Sequence, residues 1–266
     1  MDAKERIWWG RFSVPLHGGL GWRIGPFELG VFREDREYRI HHFRGEDPLS
    51  DVLSAAEPRE DVPECPEEWS ALRFALGEAG GTVLLEPAGP DRTVVSRPET
   101  PLGVLPGERV DLYVSTPLWV RVYAGEAALP IVDLPSVRIS DTWFGRDTRE
   151  GMLCYATRTA ARLHLDNLPL RPHRAVTKVT VENRASAILQ IERLNLPMPS
   201  LGLFSDAAGH LWTASVTIRH EERSGESAVS LGTTPGREAG EANPISEPRE
   251  SPHKGLLQKG LGALLG

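Results

Sequence analysis

The sequence predicts an all-β fold, β-sandwich-like, made of two packed halves. Three observations carry that expectation. Short runs with period-two alternation of apolar and polar residues recur at roughly 8–12-residue spacing, the signature of sandwiches and barrels. The chain holds 26 Gly and 22 Pro among 266 residues, which suits many turns and few long helices. No glycine-rich phosphate loop joins a strand to a helix, so doubly wound nucleotide folds gain no support.

From the N-terminus, "WGRFSV" and "GWRI" flank "PLHGGL", whose glycines suit a hairpin. "PFELGVFRE" and "EYRIHHF" follow as strands, turning near Asp35. Residues 47–68 are acidic and proline-broken, which predicts a surface excursion with a short helical turn over 49–56. "WSALRFALG" reads as a strand, and Gly80–Gly81 as the turn of a hairpin into "GTVLLEP". The clearest segment is "ERVDLYVSTPLWVRVYAG". Val110, Leu112 and Val114 alternate with Asp111, Tyr113 and Ser115; beyond Thr116–Pro117, Leu118, Val120 and Val122 alternate with Trp119, Arg121 and Tyr123. Proline has no N–H for a ladder, so two strands are expected, each with one buried face. "MLCYAT", "RAVTKVTVENRA", "AILQIERLNLP" and "HLWTASVTIRHEE" complete a β-rich region over residues 1–222, its halves meeting near 97–135.

After residue 222 the composition changes. Residues 223–253 contain no aromatic side chain, which predicts a disordered linker. The end, 254–266, reads as a short amphipathic helix with Leu257, Leu261, Leu264 and Leu265 on one face. So short a helix, weakened by Gly260 and Gly262, needs a surface to fold against. An unknown protein partner is the expected occupant, and an anionic membrane surface would be held only weakly.

Formal charge is −7, with bases mixed among acids, which argues against a nucleic-acid partner. No apolar run is long enough for a transmembrane helix, and "MDAKERIWWGRF" lacks the core of a secretory signal, so a cytoplasmic location is expected. Cys65 and Cys154 stand far apart without metal-ligand spacing; no metal or cofactor is expected, and Cys154 reads as a buried, inert thiol.

No nucleophile motif is present, so no catalytic residue is assigned. His41 and His42 are adjacent on a strand and must point to opposite faces. His164 and Asp166, two apart, would share a strand face, where a hydrogen-bonded pair is the simplest role. His173 and His210 read as turn residues. The richest stretch is "DTWFGRDTREGMLCYATRT", read as a strand end, a charged turn and a second strand. Asp141, Trp143 and Asp147 there, with the strip Trp119, Arg121 and Tyr123, are the candidate ligand contacts. The reading is a non-enzymatic binding or scaffolding protein acting through its β surface and terminal peptide. The alternative is small-molecule or carbohydrate binding at an exposed aromatic–arginine strip. A hydrolase-like enzyme, pairing Asp141 or Asp147 with His164, comes third.

"WW" with "GWRIGPFELGVFRED", "RPETPLGVLPGERVDLYVSTPLWVRVY", and "DTWFG" followed by "GMLCYATRT" together resemble the DUF432 family, over about residues 1–220. That resemblance implies a prokaryotic protein without an established activity and carries no catalytic residues.

Overall fold

A computed structural model describes residues 7–75, 80–145, 151–221 and 227–251. The N-terminal strands are β1 (Gly10–Ser13), β2 (Gly18–Ile24), β3 (Phe27–Arg33), β4 (Glu37–Arg44), β5 (Leu53–Arg59) and β6 (Ser70–Ala75). The middle of the chain supplies β7 (Thr82–Ala88), β8 (Val94–Ser96), β9 (Leu102–Val104), β10 (Arg109–Pro117), β11 (Trp119–Ala124) and β12 (Val132–Pro135). Then come β13 (Ser140–Phe144), β14 (Met152–Ala156), β15 (Arg174–Asn183), β16 (Leu189–Ile191) and β17 (Leu194–Leu196). The last are β18 (Leu203–Asp206), β19 (Leu211–Thr213), β20 (Val216–His220), β21 (Ser227–Leu231) and β22 (Ala242–Ser246). Among the described residues there is no α-helix, only strands and single 3-10 turns, and the chain is all-β.

Five sheets result. Their orders are β5-β2-β3-β4-β6, β1-β7-β11-β12, β13-β14-β8-β17, β16-β9, and a larger one running β21-β20-β15-β19-β18-β22 with β10 on the other edge of β15. The alternation around Pro117 decides how they join. β10 pairs with β15 residue for residue, from Arg109↔Glu182 to Pro117↔Arg174. One residue later the chain has changed sheets, and β11 pairs with β7 and β12. Leu118 is fully buried at this crossing, its N–H donating to His173 O. Leu112, Val114 and Trp119 enter one hydrophobic core; Leu118, Val120 and Val122 enter the other. Burying each such side chain contributes about 1.5–3 kcal/mol, so this stretch anchors both cores. Contacts between distant parts of the chain close the structure: the Trp8 indole N–H donates to Pro172 O at 2.9 Å.

Several local expectations are corrected. β1 does not form a hairpin with β2; it pairs with β7 in another sheet, while Phe12 still packs edge-on against Trp22 of β2 at 5.3 Å. Gly80–Gly81 likewise connects two sheets, β6 pairing with β4 and β7 with β11. The helical turn over 49–56 gives way to β5, which pairs with β2 through a bulge at Ala56 (φ 54°). His164 and Asp166 lie on no strand: His164 precedes the 3-10 turn Leu165–Asn167 that contains Asp166.

The largest correction concerns the disordered linker of residues 223–253, since 227–251 is folded. β21 adds antiparallel to β20 and buries Val229; β22 adds antiparallel to β18. Beyond β22, Arg249 donates from Nη1 and Nη2 to both Asp133 oxygens at 2.5 and 2.8 Å, and from Nε to Gly89 O at 2.6 Å. An arginine fork of this kind supplies in charge-assisted hydrogen bonds what the segment lacks in aromatic area. The terminal peptide with Leu257, Leu261, Leu264 and Leu265 lies outside the described residues. No described helix is long and apolar enough to cross a membrane.

Candidate functional site

Alternation along β2, β3 and β4 gives their sheet two unlike faces. Leu20, Trp22, Ile24, Phe27, Leu29, Val31, Tyr38 and Ile40 face a hydrophobic core. The opposite face carries Gly19, Gly21, Gly30, Phe32 and His41, with Gly21 paired to Gly30 and Gly30 to His41. The row Gly21–Gly30–His41 therefore floors the sheet with almost no side-chain height on two of its three strands.

Larger groups lie down on that floor. A Cβ at Gly30 would come 2.6 Å from Phe32 Cε2, one at Gly19 2.3 Å from Phe32 Cδ1, and one at Gly21 3.0 Å from Arg59 Nε. The Phe32 ring sits 5.0 Å from the His41 ring. The segment after β5 rises as a wall and ends at Trp69, which stacks on Phe43 at 5.8 Å and 18°. Between floor and wall is a cleft of about 570 Å3, within the usual range for small-ligand sites. A Gly30→Ala variant should lose roughly 1–3 kcal/mol of stability through this overpacking. Urea unfolding measures it, and combining it with Phe32→Ala should recover part of the loss.

Charge in the cleft is unbalanced. Arg23 pairs with Glu28 at 2.6 Å and Arg59 with Glu57 at 3.5 Å. Glu60, Asp61 and Glu64 also line the cleft, and among the described residues none of these three has a cation in ion-pair reach. His41 is held below the usual histidine range, first by burial and then by Arg39. It is a neutral ring at pH 7 and adds no positive charge.

The residues singled out from the sequence lie elsewhere. Trp119 is 5% exposed and stacks on Tyr155 at 5.6 Å. Arg121 donates to Asp133 at 3.1 Å and to Glu86 at 3.4 Å, and Tyr123 OH lies 3.5 Å from Glu86. The expected exposed strip is thus a covered one. Its cover includes the presumed linker: Ser246 Oγ donates to Glu86 and Arg249 shares Asp133 with Arg121. Asp141 pairs with Arg92 at 3.3 Å, while His164 lines a separate groove with Glu99 and Arg162, so the acid–base pairing gains nothing. Trp143 is 39% exposed, and its indole lies so close to Gly151 that a Cβ there would sit 2.1 Å from Nε1. Asp147 lies outside the described residues.

Cys154 is fully buried with Thr93 Oγ1 at 3.0 Å from its sulfur; burial pushes the thiol up, so it stays protonated. His41 and His42 do face opposite sides of β4. His210 sits in the turn between β18 and β19, with its N–H donating to Asp206. His173 does lie in a turn, immediately before β15, and is completely buried there. No group of three or more described His, Cys, Asp or Glu residues could hold a metal ion.

The family model described as a protein of unknown function, DUF432, matches residues 8–263. The chain belongs to the DUF432 family. The match extends well past residue 220, so β21, β22 and the Arg249 clamp lie within the DUF432 region, consistent with their packing. No curated protein and no solved structure matches this DUF432 chain.

Proposed function

We propose that this DUF432 protein is a non-enzymatic binding protein whose site is the glycine-floored cleft over β2, β3 and β4. The observation that carries the reading is the cleft's composition: a flat floor bearing Phe32 and His41, a Trp69 wall, and three carboxylates without a cation partner among the described residues. A flat apolar floor accepts the body of a ligand, and aromatic faces together with free carboxylates favour a cationic end. The ligand class is therefore an organic cation, such as a guanidinium or amine side chain presented by a peptide.

Arginine amide and its neutral isostere citrulline amide distinguish this from unspecific filling. Arginine amide should raise the melting temperature of the full chain and citrulline amide should not. In the triple variant E60Q/D61N/E64Q the arginine response should fall at least several-fold. Equal responses to the two amides would remove the cationic ligand class. The terminal peptide 254–266 remains proposed as a second, tethered docking element, and deleting it should leave arginine-amide binding intact while releasing any partner it holds.

A further inference from the structure

A second opening, lined by Pro117 and Trp119 at the sheet crossing, shares no lining residue with the cleft. At its base is Arg174, 3% exposed. Nε donates to Ser115 Oγ at 2.8 Å; Nη2 donates to Ser115 O at 2.7 Å, Thr157 Oγ1 at 3.1 Å and Thr159 Oγ1 at 2.9 Å. All of these acceptors are neutral, and Nη1 has no hydrogen-bond partner among the described residues. A buried cation is costly unless an anion accompanies it. Burial and the charge of Arg171 push this guanidinium down to about 9, still charged at neutral pH.

Arg174 lines an inner space of about 20 Å3 together with Arg138, Arg158 and Thr157. That volume admits about one water-sized group. Arg138 and Arg158 also line an adjoining outer chamber of about 190 Å3, whose rim carries one carboxylate, Glu46. The two exposed arginines thus stand where the chambers meet. Among the described residues none of the three arginines has a carboxylate in ion-pair reach. Against Glu46 they leave two positive charges, the charge of a phosphate monoester dianion.

We propose that this opening binds a phosphate group, with one oxygen directed into the inner space toward Arg174 and the others met by Arg138 and Arg158. Guanidinium forks suit several oxygens on one centre, which a monatomic anion does not offer. The source is either free inorganic phosphate or a phosphate ester on a larger molecule.

Calorimetric titration of the full chain with inorganic phosphate and phenyl phosphate, against chloride at matched ionic strength, tests the site. Phosphate should bind and chloride should not substitute. The double variant R138A/R158A, altered only at exposed positions, should stay folded and bind at least ten-fold more weakly. Arg174→Lys should weaken binding further, and its melting curve separates loss of folding from loss of the site. Tighter binding of phenyl phosphate would identify an ester as the ligand, and tighter inorganic phosphate the free ion. A phosphate affinity unchanged in R138A/R158A, or an equal effect of chloride, would overturn the proposal.

Discussion

A chain ended after Glu221 should lose cooperative folding rather than merely shed a tail. It would lack β21, leaving β20 as an open edge, and β22, leaving β18 paired only with β19. The burial of Val229 and Ala239 would go with them, as would the packing of Ile245 on the N-terminal core. Asp133 would keep only Arg121 of its two arginine partners, though both now hold its carboxyl below the usual range against the opposing effect of burial. Together these losses approach roughly 5 kcal/mol, the order of a domain's whole stability. Thermal melting of the shortened chain should be broad or absent. The single variant Arg249→Ala should melt cooperatively but lower, by about 1–3 kcal/mol, the range for a charged hydrogen-bonded group left without its partner. A shortened chain that melts like the full one would show that the C-terminal strands add nothing to the fold.

Acid should unfold the protein through His173. Its Nε2 lies 3.0 Å from Pro48 O, which assigns the proton to that nitrogen, and among the described residues Nδ1 has no partner. Gly25 presses so closely that a Cβ there would fall 2.1 Å from Nδ1. Burial first, then the charges of Arg174 and Arg171, push His173 down to about 3, with the Pro48 carbonyl acting against them. The folded value is depressed, so the unfolded chain binds the extra proton first. Stability is full above about pH 6.5 and is lost as pH falls toward 3, at about 1.4 kcal/mol per pH unit for one proton. His41 and His42, lowered chiefly by burial, act with the same sign. Urea midpoints between pH 7 and 4 should fall steeply in the wild type. In His173→Gln, which keeps an N–H for Pro48, the slope should be shallower by about one proton's worth. An unchanged slope would move the acid lability elsewhere.

Both regions show where sequence reading succeeds and where it stops. β10 and β11 are legible as strands from their alternation and the proline between them, but the expected single buried face is not: residues 112–120 are buried on both faces. β5 is not, since "LSAAEPR" has poor intrinsic strand preference and becomes a strand by pairing with β2. β22 contains Pro244 and is tolerated only as an edge strand, a role fixed by tertiary packing. The cleft left a trace in the period-two glycines of "GGLG" and "FELG", but glycines beside a turn read as turn chemistry. Only the register that sets Gly21 opposite Gly30 makes them a floor. His173 and Arg174 look like surface residues because their burial comes from elements far away in sequence, such as Ser115 and Pro48.

That remoteness bears on how the protein is made. The Trp8 indole waits for a carbonyl 164 residues downstream, and Glu86 waits for Ser246, 160 residues on. At about 5–20 residues per second, a nascent chain spends on the order of ten to thirty seconds with its first core unfinished. Trp8, Val83 and Leu118 must stay shielded for that interval, so slowing translation ahead of β22 should raise this protein's demand for chaperones more than a comparable pause early in the message.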